Sequence, residues 1–89
     1  MPTIHTVKSW PQFFSAIERG EKTHELRPND RGYKVGDMLL LQEWDPETEA
    51  YSGREMKIEV TYITSSEMTC AVSDQALHQD YVILSVRRV

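Results

Sequence analysis

The sequence predicts an α+β domain, a curled mixed sheet or small β barrel with one N-terminal helix. Three observations carry this. A helical apolar period appears once, near the start of the chain. Four later segments read as strands. Most of the connections between them have antiparallel length, and closing the sheet would hide its free edges.

Taken in order, Ile4–Lys8 alternates weakly and reads as a short strand. Ser9 has the chemistry of a helix N-cap, with Gln12 three residues on completing a capping box. Pro11 falls in the first turn, where a missing N–H does no harm. Trp10, Phe13, Phe14 and Ile17 stand at i, i+3, i+4 and i+7, on one face of a helix over about Trp10–Arg19. Gly20 supplies the left-handed stop. Thr23–Arg27 then alternates, with His24 and Leu26 on one face and Thr23, Glu25 and Arg27 on the other. Pro28–Asp30 breaks that strand, and a loop runs to Gly36. Asn29 and Asp30 suit a turn by bonding their own backbone, and Asp37 reads as a turn terminator. Met38–Trp44 is apolar enough for a strand buried on both faces. Asp45–Gly53 reads as a polar connection flanked by Trp44 and Tyr51, which read as core and turn residues. Arg54–Ile63 alternates, with Met56, Ile58, Val60 and Tyr62 facing one way. Ser65–Asp80 has little pattern, with room for one turn of helix around Val72–His78. Tyr81–Val86 closes the chain as a buried strand.

Composition bounds the function. Eighty-nine residues make one domain, 1–89, with a modest core. No apolar run approaches the roughly 20 residues of a membrane span, and MPTIHTVK lacks a signal pattern. Cys70 is the only cysteine, so no internal disulfide forms and the expected location is cytoplasmic. Cys70 with scattered His5, His24 and His78 does not make a structural zinc site, and no metal or cofactor is expected. Cys70 also lacks the cationic surroundings of a nucleophile. The net charge of −4 argues against nonspecific coating of nucleic acid. Its distribution is uneven. Acidic residues dominate Asp37–Glu59, while cations cluster in Arg19–Lys34.

One stretch carries the recognisable pattern. Gly20, Lys22, Thr23, Glu25 and Arg27 form G-x-K-T-x-E-x-R, which resembles the signature of the ASCH domains, a branch of the PUA-like superfamily. The likeness extends through His5, Lys8, Pro11, Phe13 and Phe14, then Arg27, Asn29, Asp30 and Arg31, then Val35–Asp37, Glu43–Asp45 and Tyr51–Arg54. Together they look like a small stand-alone bacterial and phage family of unassigned function. The resemblance implies a PUA-like mixed pseudo-barrel and a role in RNA or nucleotide recognition. A related ASCH group removes the acetyl group from acetylated cytidine with a Lys, a Thr and a later Glu. Lys22 matches that Lys, but Glu25 stands where the Thr would fall, Thr23 is not its equivalent, and Glu67 is the only Glu past residue 60.

The expected site is a cleft beside the helix using Lys8, Trp10, Lys22, Glu25, Arg27 and Arg31. Lys22 can reach a phosphate or carbonyl oxygen from its tight connection. Glu25 can accept hydrogen bonds from a base edge, and Arg27 can grip phosphate bidentately. The plain alternative for those two is an exposed intrastrand ion pair worth under about 1 kcal/mol. Arg31 has no evident turn role and is the freer ligand candidate. Lys8 ends the first strand and can point into the same cleft. Trp10 completes the helix stripe or offers a base a stacking surface. His5 and His24 read as satisfied polar residues. The expected ligand is RNA or a nucleotide-like molecule, recognised locally. The alternatives are a small amidohydrolase acting on an acylated nucleoside through Lys22 and Glu25, and a protein-interaction module using the acidic Asp45–Glu59 lobe.

Overall fold

A computed structural model describes residues 2–67 and 77–89. It contains β1 (Ile4–Ser9), α1 (Pro11–Glu18), β2 (His24–Pro28), β3 (Met38–Asp45), β4 (Ala50–Ser65) and β5 (Tyr81–Arg88). The strands form one sheet in the order β1-β3-β4-β5-β2. β1 runs parallel to β3, and the other neighbours are antiparallel. The chain is therefore mostly strand, a half-barrel sheet with one short helix. Residues 72–76 of the suggested second helix, and Cys70, lie outside the described residues; His78 stands in non-helical chain before β5. Among the described residues, no helix is long and apolar enough to cross a membrane.

The first and last sheet positions belong to β1 and β2, and these two edges share no backbone ladder. Side chains join them instead. The Arg27 Nη2 donates to the Lys8 carbonyl at 2.7 Å, and the Arg31 Nη1 donates to the Thr6 carbonyl at 3.2 Å. An edge strand leaves such carbonyls unpaired, and a guanidinium satisfies them without extending the sheet. The expected closure is thus a side-chain seam. Arg31, read from sequence as free of structural need, is one of its two stitches.

The core lies inside the curl. Leu39 and Leu41 of β3, Ile58 and Val60 of β4, and Leu84 of β5 are fully buried. Phe14 and Ile17 seat α1 against them, each side chain contributing about 1.5–3 kcal/mol by burial. Arg54 fastens the same helix from outside. It reaches Glu18 at 2.6 Å and Glu43 at 3.5 Å, and its guanidinium lies 4.9 Å from the Phe14 ring centroid.

Several boundaries differ from expectation for local reasons. Ser9 remains in β1, opposite Glu43 of β3, so Trp10 becomes the N-cap and makes no side-chain capping bond. β3 alternates between buried and half-buried residues instead of being buried on both faces. β4 starts four residues before the expected Arg54, at Ala50, so the polar connection shrinks to 46–49 and Tyr51 pairs with Trp44 across the sheet. Gly53, at φ +94°, lies within the strand beside a register shift. A second shift between Val60 and Tyr62 reverses the phase of the alternation, so Tyr62 faces out. Asn29 donates its amide to the Asp80 carbonyl at 2.7 Å, tying its turn to the approach to β5.

The segment Val35–Asp37 is explained by its backbone. The Gly36 amide donates to the Val60 carbonyl and the Val60 amide to the Asp37 carbonyl, both at 2.8 Å. Gly36 holds φ +96° in open space, so strain rather than collision limits substitution. Gly36→Ala is expected to cost about 1–2 kcal/mol, read as a lower urea midpoint with unchanged slope. An unchanged midpoint would show that the turn relaxes freely.

Candidate functional site

The site is built where the first turn of α1 meets residues of β1 and β2. Gly20, at φ +79°, ends the helix. The Glu21 and Lys22 amides then both donate to the Ala16 carbonyl, at 2.9 and 3.1 Å, which fixes the turn. The Thr23 carbonyl accepts from the Val86 amide at 3.0 Å and starts the β2–β5 ladder. Lys22 is thereby held at the mouth of the curl.

In β2 the alternation places Glu25 inward and Leu26 outward. Glu25 is only 5% exposed. Its Oε1 accepts from the Lys22 Nζ at 3.3 Å, and its Oε2 accepts from the Arg27 Nε at 2.8 Å. The Lys22 ammonium also donates to the His24 carbonyl. Glu25 is therefore a buried carboxylate between two cations, not half of an exposed ion pair. Burial of such a charge is tolerated only because both oxygens have charged donors.

Opposite this triad stands the first turn of α1. Trp10 and Phe13 are 45% and 46% exposed, with ring centroids 6.4 Å apart and planes within 23°. Phe14 and Ile17 provide the helix's core contact, so the outer half of the stripe is left as an aromatic shelf. The Lys22 Nζ lies 6.0 Å from the Phe13 ring centroid, at the limit of a cation–π contact. Shelf and triad line one cleft of about 430 Å³, together with Lys8, Ser9, His24 and Leu26.

Residues 4–86 match the family described as "Domain of unknown function (DUF3850)". The chain belongs to that family. The "Uncharacterized 12.9 kDa protein in GpA 3'region" of Escherichia phage P2 is similar to it, 34% identical over 84 residues that cover 94% of this chain and 68% of the phage protein.

In this DUF3850 domain, five of the six expected site residues meet at the cleft: Lys8, Trp10, Lys22, Glu25 and Arg27. Arg31 lines a neighbouring groove instead. Lys8 borders both, with its ammonium 4.3 Å from the Trp44 ring centroid. Sequence reasoning missed Ser9 and Phe13. Ser9 is 4% exposed, lines the cleft, and its Oγ is a buried polar atom with no hydrogen-bond partner. Its strand position opposite Glu43 removes it from capping, and nothing local in the sequence signals that. Phe13 was hidden in the apolar stripe. His5 is satisfied, with Nε2 2.9 Å from the Asp37 carboxylate.

Proposed function

We propose that this DUF3850 domain is an ASCH-type, PUA-like module that binds RNA or a nucleotide-like ligand in the cleft beside α1. The observation that carries the reading is the exposed Trp10–Phe13 shelf facing the Lys22–Glu25–Arg27 triad across one cleft. A base stacks on the shelf. The cations meet a phosphate or a carbonyl oxygen, and Glu25 retains lone pairs for an amino group on the base edge. The half-barrel sheet with one short helix packed on it supports the PUA-like assignment. A cytoplasmic location belongs to the same proposal.

The hydrolase alternative has less support. Both partners of the Lys22 side chain are acceptors, so the geometry uses Lys22 as a hydrogen-bond donor.

The test is titration of the purified domain with ribonucleotides and short RNAs, followed by tryptophan fluorescence and calorimetry. Stacking of one base is worth about 1–3 kcal/mol, so Trp10→Ala is expected to weaken binding by about 5-fold to 150-fold. Lys22→Ala is expected to weaken it and flatten its salt dependence. Folded variants that both retain parental affinity for every ligand bound would overturn the assignment.

A further inference from the structure

We infer that the β1–β2 seam carries a second, phosphate-and-base subsite, so that the ligand is a single-stranded nucleic acid of two or more nucleotides rather than a lone nucleotide. This rests on the reading of the first cleft given above. The observation is a second groove of about 370 Å³ on the far side of Lys8 and Arg27, which line both hollows. Arg31 and Tyr51 complete its cationic and aromatic lining. Both volumes lie at the small end of ligand pockets, about 300–1,000 Å³.

Lys8 and Arg27 form the ridge between the hollows, joined by the Arg27 bond to the Lys8 carbonyl at 2.7 Å. Arg27 is paired with Glu25, but the other two seam cations, Lys8 and Arg31, are held mainly by groups that orient without neutralising. Arg31 donates to the Thr6 carbonyl at 3.2 Å. The Lys8 ammonium lies 4.3 Å from the Trp44 ring centroid and 5.9 Å from that of Tyr51. None of the residues lining the second groove is acidic. The nearest countercharge is Glu25, 2.8 Å from the Arg27 Nε; Asp30, 3.9 Å from Arg31, is exposed, and Glu55 accepts from the Gln42 amide at 2.8 Å. Glu25 is shared between Lys22 and Arg27. The seam is therefore locally cationic in a chain of net charge −4.

The order of groups along the seam fits a dinucleotide. One base lies on Trp10 and Phe13, the linking phosphate crosses the Lys8–Arg27 ridge, and the next nucleotide meets Arg31 and the exposed Tyr51 ring. Guanidinium groups suit phosphate oxygens, and a tyrosine face stacks any base. A duplex would not offer free base faces to either ring, which selects a single strand.

The experiment compares the four ribonucleoside 5′-monophosphates with the four 5′-phosphorylated homodinucleotides, in ribose and deoxyribose forms. At least one dinucleotide is expected to bind about tenfold tighter than its mononucleotide, with the salt slope steeper by about 0.7 for the added phosphate. Arg31→Gln combined with Tyr51→Ala is expected to erase that gain while leaving mononucleotide affinity within about twofold. Arg31→Lys with Tyr51 intact should retain part of the gain. A gain confined to the ribose series identifies RNA, and an equal gain in both identifies single strands generally; either supports the second subsite. If mononucleotides bind and dinucleotides add nothing, or the gain survives the double substitution, the second subsite is overturned and the first cleft stands. If nothing binds, both fall.

Discussion

Glu25→Ala is expected to destabilise the domain by about 2–3 kcal/mol. The reason is the charge it leaves behind. Removing one member of a buried ion pair typically costs about 3–5 kcal/mol, because the partner remains desolvated and unpaired. Here the Lys22 and Arg27 side chains each retain 20% exposure, so water recovers part of the loss. The remaining effect is still large for a small domain, whose total stability is typically about 5–15 kcal/mol. Glu25→Gln should cost less, since the amide oxygen still accepts from one cation while its NH₂ opposes the other. Urea unfolding of parent, Gln and Ala variants reads the series. An Ala variant within about 0.5 kcal/mol of the parent would show that the triad relaxes into water and carries no folding energy. Binding gives an independent reading of the same residue. Glu25→Gln removes charge but keeps an acceptor, so a ligand that uses Glu25 through its base edge is weakened by more than one that uses only the two cations.

The contrast between Glu25 and Leu26 shows where sequence reasoning stops. Strict alternation separated these residues onto opposite faces, and β2 keeps that separation. It does not say which face turns inward. Burial of leucine is the default, but β2 is an edge strand at the seam, where the inward direction points to the cleft. Glu25 and Arg27 meet polar partners there, and Leu26 lies outside among the residues rimming the cleft. The helix was legible because its period is local, yet that period does not show that only Phe14 and Ile17 are buried while Trp10, at the N-cap, and Phe13 stay exposed. The Lys22, Glu25 and Arg27 spacing was legible for the same local reason. The seam was not. Its two bonds join residues 19 and 25 positions apart, and only the curl of the sheet brings them together. Ser9 and Tyr62 were misread where a strand ran longer than its pattern and where a bulge changed phase.

Asp37→Ala is expected to cost about 3 kcal/mol and to remove part of the domain's acid sensitivity. The Asp37 carboxylate is 4% exposed and accepts from the Thr3 amide at 3.2 Å, the Lys34 amide at 3.0 Å and the His5 Nε2 at 2.9 Å. Alanine leaves all of these donors without their acceptor, and bonds to a charged group are worth about 1.5–3 kcal/mol each before solvent recovers any. Burial pushes the Asp37 carboxyl up, but the bonds from His5, Thr3 and Lys34 together outweigh it and hold it below the ordinary 3.8. The sign follows from that direction. The unfolded chain takes up this proton at a higher pH than the folded one does, so the carboxylate's contribution is complete above about pH 4 and is lost as pH falls through the folded value. Urea midpoints measured from about pH 7 down to about pH 3 should therefore fall less steeply in Asp37→Asn than in the parent, although the Asn variant starts lower. Superimposable acid limbs would mean that Asp37 does not carry this dependence. The asparagine separates shape from charge: it can still accept at one oxygen, but it cannot titrate. Asp37 joins the start of β1 to the turn before β3, and β1 goes on to place Lys8 and Ser9 in the cleft. A loss of order at this joint in acid should reach the ligand before it reaches the core. Binding is then expected to weaken at a pH where Leu39 and Leu41 remain packed, and a binding curve that falls only with global unfolding would exclude that coupling.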